Sequence, residues 1–448
     1  MMKIGNRVVI LGAGESGVGA AILAQAQGFD VFVSDMAEIK PIYKQELIDL
    51  GIDFEEKQHT QEKIVNATFV IKSPGIPEKA PIIVELKNRQ IPVISEIEFG
   101  ARYTKAKKIC ITGSNGKTTT TLMIYHILQK AGFNVGLAGN IGTSLARQVA
   151  TSEKDWYVIE ISSFQLDGMF EFKADIAILM NITPDHLDRY EYNMQNYINS
   201  KLRIINNQVA GDFFIYCADD ENITTEVAHR KILSKQLPFS VTKEISEGAE
   251  KVGEEMILRV NNNFFNMVIK DLALEGRHNL YNSMAAGLTA QVVNIKNEVI
   301  RLSLMDFKGV EHRLEKVTTI RDITFINDSK ATNVNSTWYA LECMTKPVIW
   351  IAGGVDKGND YSELNDLAKS KVKALVCMGK DNAKLKEAFE GIIPIIVDTQ
   401  SIEEAVKSAY MLGTKGDVVL LSPCCASFDL FNNYEHRGKL FKEQVLAL

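Results

Sequence analysis

The chain has no run of 18 or more apolar residues among its 448, so no helix of it is expected to cross a bilayer. It has no long block of like charge either. Its 50 basic and 56 acidic residues leave a net charge of −6, which offers nothing to draw nucleic acid or an anionic membrane. The six cysteines (Cys110, Cys217, Cys343, Cys377, Cys424, Cys425) contain no C-x-x-C spacing. Zinc knuckles need paired ligands at fixed spacing, so reduced thiols buried in apolar strands are expected instead. The N-terminus reads MMKIGNRVVILGAGESG, but Glu15 and the glycines interrupt the apolar run before a signal-peptide core is complete, and a cytoplasmic location is expected. No Pro/Gly/Ser-rich linker, short repeat or low-complexity tract divides the chain.

What is present is an ordinary globular composition, 46% hydrophobic and 24% charged, over about three domain lengths. Residues 1–102 alternate short apolar runs with helical patterns: RVVILG, VGAAILAQAQG, DVFVSD, QELIDLG, ATFVIKSPG, APIIVELKNRQ, IPVIS. Strand and helix in turn imply a parallel sheet. Residues 103–309 hold KKICIT, WYVIEIS, ADIAILMNI and DFFIYCA, then EMILRV and FFNMVIK, which read as a few antiparallel strands within 242–270. Residues 310–448 resume the alternation with ITFINDS, PVIWIAGG, ALVCMG, IPIIVD and DVVLLSP. The expected fold is therefore three successive α/β domains. The first and third are Rossmann-like, and the middle one carries a small antiparallel addition.

The stretch 110–120, CITGSNGKTTT, departs from the common phosphate loop G-x-x-x-x-G-K-[ST], with Ile111 where the first glycine belongs and Gly113 displaced into the turn. The context still fits. An apolar strand enters Gly113, Ser114, Asn115 and Gly116, and a Thr-rich helix leaves it. Backbone N–H groups of such a turn and the helix start form an anion cradle, Lys117 adds a mobile cation, and Thr118 and Thr119 offer hydroxyls. Neighbouring strands of a parallel sheet deliver side chains to the same edge. WYVIEISS brings Glu160 there, otherwise an edge charge or a helix cap, and ADIAILMNITPDH brings Asp185 and His186. The helix MQNYINSKLRIINNQ is amphipathic, and on that pattern alone Lys201 would be a solvated surface residue.

Upstream, Gly12, Gly14 and Gly17 spell G-x-G-x-x-G after a strand, and Asp35 ends the next strand 18 residues beyond Gly17. Alone, this is a dinucleotide fingerprint that suggests a nicotinamide dehydrogenase. A diphosphate carried by another nucleotide would use the same helix N-terminus, and nothing downstream supplies hydride chemistry. A nucleotide-binding regulator without chemistry is the third reading, but it would not need Lys117, Glu160, His186 and Lys201 together.

TGSNGKTT with its displaced glycine, EISSFQL, NITPDHLDRY, YINSKLRI, EGRHNLYNSMAA, VEHRLE, INDSKATN and LSPCCASFDLF occur in order along the whole chain. Together they resemble the ATP-dependent Mur ligases and the related folylpolyglutamate synthetases, and the last two resemble the D-glutamate-adding members. The resemblance implies that ATP phosphorylates a carboxylate of UDP-N-acetylmuramoyl-L-alanine to an acyl phosphate, and that the amine of D-glutamate displaces phosphate from it. It implies a UDP-binding first domain, a central ATP-binding P-loop domain, a third domain for the amino acid, and a monomer with no nucleic-acid partner. It implies that Lys117 meets the β/γ-phosphates, that Thr118 and Glu160 hold one Mg²⁺, and that His186 and Lys201 serve a second, Lys201 being carbamylated. Asn140 would lie near the substrate and γ-phosphate, with Asn279, Asn282, Arg313 and Asp328 around the adenine, ribose and phosphates of ATP. Lys330, Thr332, Lys357, Ser427 and Tyr434 would hold D-glutamate. Gly14, Glu15, Ser16, Gly17, Asp35, Ser73, Pro74 and Gly75 would surround UDP. The chain departs from the better-known relatives in having Met36 and Ala37 where they often place a Thr-Arg pair.

Overall fold

The computed structural model describes residues 6–152 and 154–448 and contains three sheets that follow one another along the chain. In the first, the strands Asp53–Glu55, Asp30–Ser34, Arg7–Leu11, Phe69–Lys72 and Val93–Ser95 lie side by side in that order, all parallel. Val8, Val9, Ile10 and Leu11 are all fully buried, as expected of a central strand covered on both faces. The covering helices include Glu15–Ala26, Pro41–Asp49 and Pro81–Asn88, the last two opened by a proline whose missing N–H costs a first helical turn nothing. Strand order reverses between Arg7–Leu11 and Phe69–Lys72, so a crevice opens beyond their carboxyl ends, at Gly12 and Ser73.

The central sheet places Lys107–Thr112 between Ile176–Leu179 and Trp156–Glu160, with Val135–Gly139 at one edge. On the other side it runs through Phe213–Cys217 and Lys235–Ser240 to Gly248–Val252. Glu255–Val260 and Asn263–Val268 then complete the expected antiparallel ribbon. The third sheet has the order Glu315–Ile320, Ile323–Asn327, Val418–Leu421, Val348–Ala352, Val372–Met378, Ile396–Thr399, antiparallel only in its first pair. Its core is centred on Trp350, fully buried against Phe389 at 5.1 Å between ring centroids, with Nε1 donating to Ser422 O at 2.7 Å. The six cysteines are free, and all but Cys343 are buried. Among the described residues no helix is long and apolar enough to cross a membrane.

The chain forms two compact units, one of residues up to 271 with 281–305 and one of 272–280 with 306–448. The boundary expected near residue 102 thus falls inside the first unit. Just before it stands a six-residue helix, Glu96–Ala101, too short to announce itself by periodicity, which packs with Glu15–Ala26 against the helix Leu145–Thr151. The buried Glu96 carboxylate reaches across, accepting from Ser144 Oγ at 2.8 Å and from Ala146 N at 2.6 Å.

Burial outweighs these hydrogen bonds and pushes the Glu96 carboxyl up from 4.5 to about 7. The folded state therefore binds this proton more tightly than the unfolded chain, so the contribution to stability is full below about pH 4.5 and declines as pH rises to about 7. A shift of that size corresponds to about 3 kcal/mol. Glu96→Gln, which keeps an acceptor oxygen but never ionises, is expected to gain stability relative to the parent across this window. Urea midpoints measured at several pH values check it, and a parent-to-variant difference that does not change with pH would contradict it.

Candidate active site

The strand Lys107–Thr112 delivers the phosphate loop, and glycine is needed twice in it. Gly113 (φ +151°) would press a Cβ to 3.0 Å from Met180 Cβ, and Gly116 (φ +82°) would bring one to 2.7 Å from Asn282 Oδ1. The loop is cross-braced by the next strand's exit. Ser114 N donates to Asn181 O at 2.9 Å, Asn115 N to Asn181 Oδ1 at 2.7 Å, and Ser114 Oγ to Thr183 O at 2.8 Å. Lys117 opens the helix Lys117–Lys130, and its Nζ donates to Gly113 O at 2.7 Å and to Ser114 O at 2.8 Å. Thr118 is buried in the first helical turn. Asn282 joins this loop, its Oδ1 accepting from Thr120 Oγ1 at 3.1 Å.

Lys201 is where the surface expectation fails. It is 1% exposed in the helix Met194–Leu202, with its Nζ 4.6 Å from the Tyr197 ring centroid. That Nζ donates at 2.8 Å to Gly113 O, the carbonyl Lys117 also uses. Burial, with the adjacent Lys117 charge, holds Lys201 well below the usual lysine range. Helical periodicity could not reveal this, because the residues that cover Lys201 come from the phosphate loop and its neighbours.

Glu160 ends its strand 1% exposed. Its Oε1 accepts from Asn140 Nδ2 at 2.8 Å, and its carbonyl from Asn140 N at 2.9 Å, so these two predicted residues meet. Its Oε2 is buried with no hydrogen-bond partner. An orphaned carboxylate oxygen is costly unless a cation or donor completes it, so the donor set here suits a hard cation. His186 takes a left-handed backbone (φ +51°), with its Nε2 3.7 Å from Asp185 Oδ1 and its ring edge-on to Phe164 at 5.3 Å.

A cavity of about 1040 Å³ opens at the crevice of the first sheet. Of the residues expected around UDP, Gly14, Asp35, Ser73 and Gly75 line it, and Ser16, Gly17 and Pro74 do not. Packing requires a glycine at Gly17, since a Cβ there would lie 1.8 Å from Gly12 O. Asp35 braces the loops around it, Oδ2 accepting from Ala13 N at 2.6 Å and Oδ1 from Ala37 N at 2.8 Å. Glu15 turns its carboxylate away, to Ser144 N and Arg147. Met36 lines the cavity, as do Lys57, Gln58, His59 and Gln61, which nothing in the sequence singled out because they follow a strand of only three residues. Arg189 was likewise unforeseen. It stacks over Phe164 at 4.4 Å, and its Nη2 lies 3.5 Å from Pro74 O and 3.4 Å from Ile76 O, tying the two motif loops together.

In the second unit, Lys330 Nζ stands 5.2 Å from the Tyr434 ring centroid, Ser427 is buried, and Lys357 is exposed beside Gly358 (φ +88°). Thr332 is half-buried two residues past Lys330. The residue that gathers these loops is Arg437, fully buried, which looks like a helix-surface arginine in YEHRGK. Its Nε donates to Ser329 Oγ at 3.0 Å and its Nη2 to Ser329 O at 2.9 Å and Cys425 O at 3.3 Å. Burial lowers its pKa to about 10. Asp328 is buried too, accepting from Ser422 Oγ at 2.9 Å and Leu314 N at 3.2 Å. Burial raises its carboxyl to about 7 against the opposing pull of Arg313. His278, whose pKa burial lowers to about 4, is near Cys343, and Asn279 Nδ2 donates to Glu275 O at 2.8 Å.

Comparison with known proteins gives three family matches in chain order. They are the Mur ligase MurD-like N-terminal domain over residues 6–95, the Mur ligase middle domain over 111–290, and the Mur ligase glutamate ligase domain over 312–425. A UDP-N-acetylmuramoylalanine--D-glutamate ligase of Bacteroides fragilis is 57% identical over 444 residues, covering 99% of this chain and all of its own. One of Christiangramia forsetii is 54% identical over 445 residues, with the same coverage. Among solved structures, the MurF ligase of Thermotoga maritima in complex with ADP aligns over 100% of both chains with a TM-score of 0.62 at 15% identity, a likeness of fold.

Proposed function

The chain belongs to the Mur ligase family, and from that premise we propose that it joins D-glutamate to UDP-N-acetylmuramoyl-L-alanine at the expense of ATP, a cytoplasmic step in building peptidoglycan precursor. Residues 1–102 would hold the UDP-substrate, 103–309 ATP, and 310–448 the amino acid. The γ-phosphoryl passes to the substrate carboxylate, ADP leaves, and the amine of D-glutamate attacks the acyl phosphate, forming the amide and releasing phosphate and a proton. A carboxylate and a triphosphate repel each other, so the protein's task is to supply positive charge and alignment rather than covalent chemistry.

The observation that carries this reading is the pairing of Lys117 and the buried Lys201 on one carbonyl of the phosphate loop, within an apparatus that also presents the unpartnered Glu160 oxygen. Lys117 would swing from its loop carbonyls to the β/γ-phosphates. Asn140, held by Glu160, would orient the attacking carboxylate. Thr118 and Glu160, whose Oε2 is buried without a hydrogen-bond partner, would hold one Mg²⁺, and His186 with a carbamylated Lys201 would hold a second; the ions would neutralise phosphate charge. Asn279, Asn282, Arg313 and Asp328 would surround the rest of the nucleotide. Lys330, Lys357 and the hydroxyls of Thr332, Ser427 and Tyr434 would hold the two carboxylates of D-glutamate. Lys57, Gln58 and His59 line the same cavity as Met36 and would support nucleotide binding there by other means than a Thr-Arg pair.

Phosphate release assayed with ATP, Mg²⁺, UDP-N-acetylmuramoyl-L-alanine and a panel of D- and L-amino acids tests the reading. Release is expected with D-glutamate and not with L-glutamate, glycine or D-alanine. Release with another amino acid would redirect the assignment within the family, and an absorbance change with NAD(P)H in its place would return it to the dehydrogenase reading.

A further inference from the structure

Glu15 sits immediately after Gly14, at the first position of the twelve-residue helix whose N-terminus faces the cavity. A carboxylate turned toward a diphosphate there would repel it, and this one is committed elsewhere. Its Oε1 accepts from Ser144 N at 3.1 Å and from Arg147 Nε at 2.9 Å, while Arg147 Nη2 donates to Glu46 Oε2 at 3.0 Å. Ser144 is the N-cap of Leu145–Thr151, accepting from Arg147 N at 3.1 Å, so Glu15 and Glu96 both satisfy donors at that helix start. The contact is close-packed. A Cβ on Gly19 would lie 2.1 Å from Ser144 Oγ.

Ser144 closes a turn that begins at Gly139 and contains Asn140. Gly139 (φ +99°) and Gly142 (φ +76°) admit no Cβ, which would come within 2.1 Å of Glu160 O and 2.5 Å of Leu137 O. The turn is therefore close-packed against the neighbouring strands, and Asn140 leaves it bonded to Glu160 through both backbone and side chain. From these contacts we infer that Glu15 is a positioning residue that ties the UDP-sugar loop to Asn140 and, through it, to Glu160. The carboxylate of Glu15 fixes where the reacting end of the nucleotide-sugar lies relative to the phosphoryl-transfer groups and makes no direct contact with the diphosphate. This rests on the proposed function, in which Asn140 meets the substrate.

The test compares Glu15→Ala, Glu15→Gln and Arg147→Ala in the full chain, with Glu15→Ala repeated on an Asn140→Ala background. Phosphate release and UDP binding by calorimetry are the two readouts. Glu15→Ala is expected to lower kcat about tenfold, with KM for the UDP-substrate and affinity for UDP within about twofold of the parent. Glu15→Gln, whose amide oxygen still accepts from Ser144 N, recovers most of that loss. On the Asn140→Ala background Glu15→Ala causes little further loss. If Glu15→Ala folds poorly, Arg147→Ala is expected to show the same split of kcat from KM. A raised KM with unchanged kcat, or an equal loss in both backgrounds, overturns the proposal. A parent protein that neither binds UDP nor releases phosphate overturns the proposed function instead.

Discussion

Replacing Lys201 with alanine is expected to lower kcat for phosphate release by about 10³-fold, equivalent to about 4 kcal/mol of transition-state stabilisation, with the fold retained. The physical case begins with burial. Burial and the neighbouring Lys117 charge outweigh the attraction of Asp185 and Asp167 for an ammonium at Lys201, and the amine is driven toward its neutral form. A neutral amine is the form that adds CO₂. The N–C bond would form as one C=O π bond of CO₂ opens and a proton leaves the nitrogen, so that a neutral amine becomes a carbamate anion whose oxygens can ligate a hard metal, which an ammonium cannot. The parent should therefore lose activity in CO₂-stripped buffer and regain it with bicarbonate. Lys201→Ala should be indifferent to bicarbonate and partly restored by a short carboxylic acid. Full activity of the parent without CO₂, or of Lys201→Ala with ordinary buffer, would sink the carbamate.

The second large effect is expected at Glu160. Glu160→Gln keeps the length of the side chain and an acceptor for Asn140 Nδ2, but it replaces the unpartnered Oε2 with a donor that cannot bind a cation. A fall in kcat of about 10²-fold or more, near 3 kcal/mol, is expected together with a higher Mg²⁺ requirement. The thermal midpoint should hold or rise, because burying a neutral amide costs less than burying a carboxylate oxygen without a partner. A variant with near-parental kcat and unchanged Mg²⁺ dependence would show that Glu160 is an edge charge only.

Much of the fold was legible because it is written locally. RVVIL, DVFVS, FVIK and VIWIA are short apolar runs bounded by turn residues, and each became a buried parallel strand. The phosphate loop was legible for the same reason, since strand, glycine turn and helix start are contiguous. The short helices Glu96–Ala101 and Leu145–Thr151 carry too few turns for a period to show, and with them went the packed junction at residue 102. Lys201 reads as a surface residue on its own helix, and only its resemblance to a family motif marked it. Glu15 was grouped with the UDP loop by its position in G-x-G-x-x-G, yet its carboxylate points to Ser144 and Arg147. Arg437 gave no signal at all, although it binds together loops of the candidate amino-acid site.

The sequence by itself determined the alternation of the main strands and helices, the glycine turn after Lys107–Thr112 and the family, because each depends on residues adjacent in the chain. Tertiary structure alone decided which charges are buried, which carboxylate oxygen is left unpaired, and that the Glu15 carboxylate meets Ser144 and Arg147. Desolvation and hydrogen bonding at a side chain are set by whatever lies against it, and for Glu15, Glu160 and Lys201 the neighbours come from segments about 20 to 130 residues away in the chain.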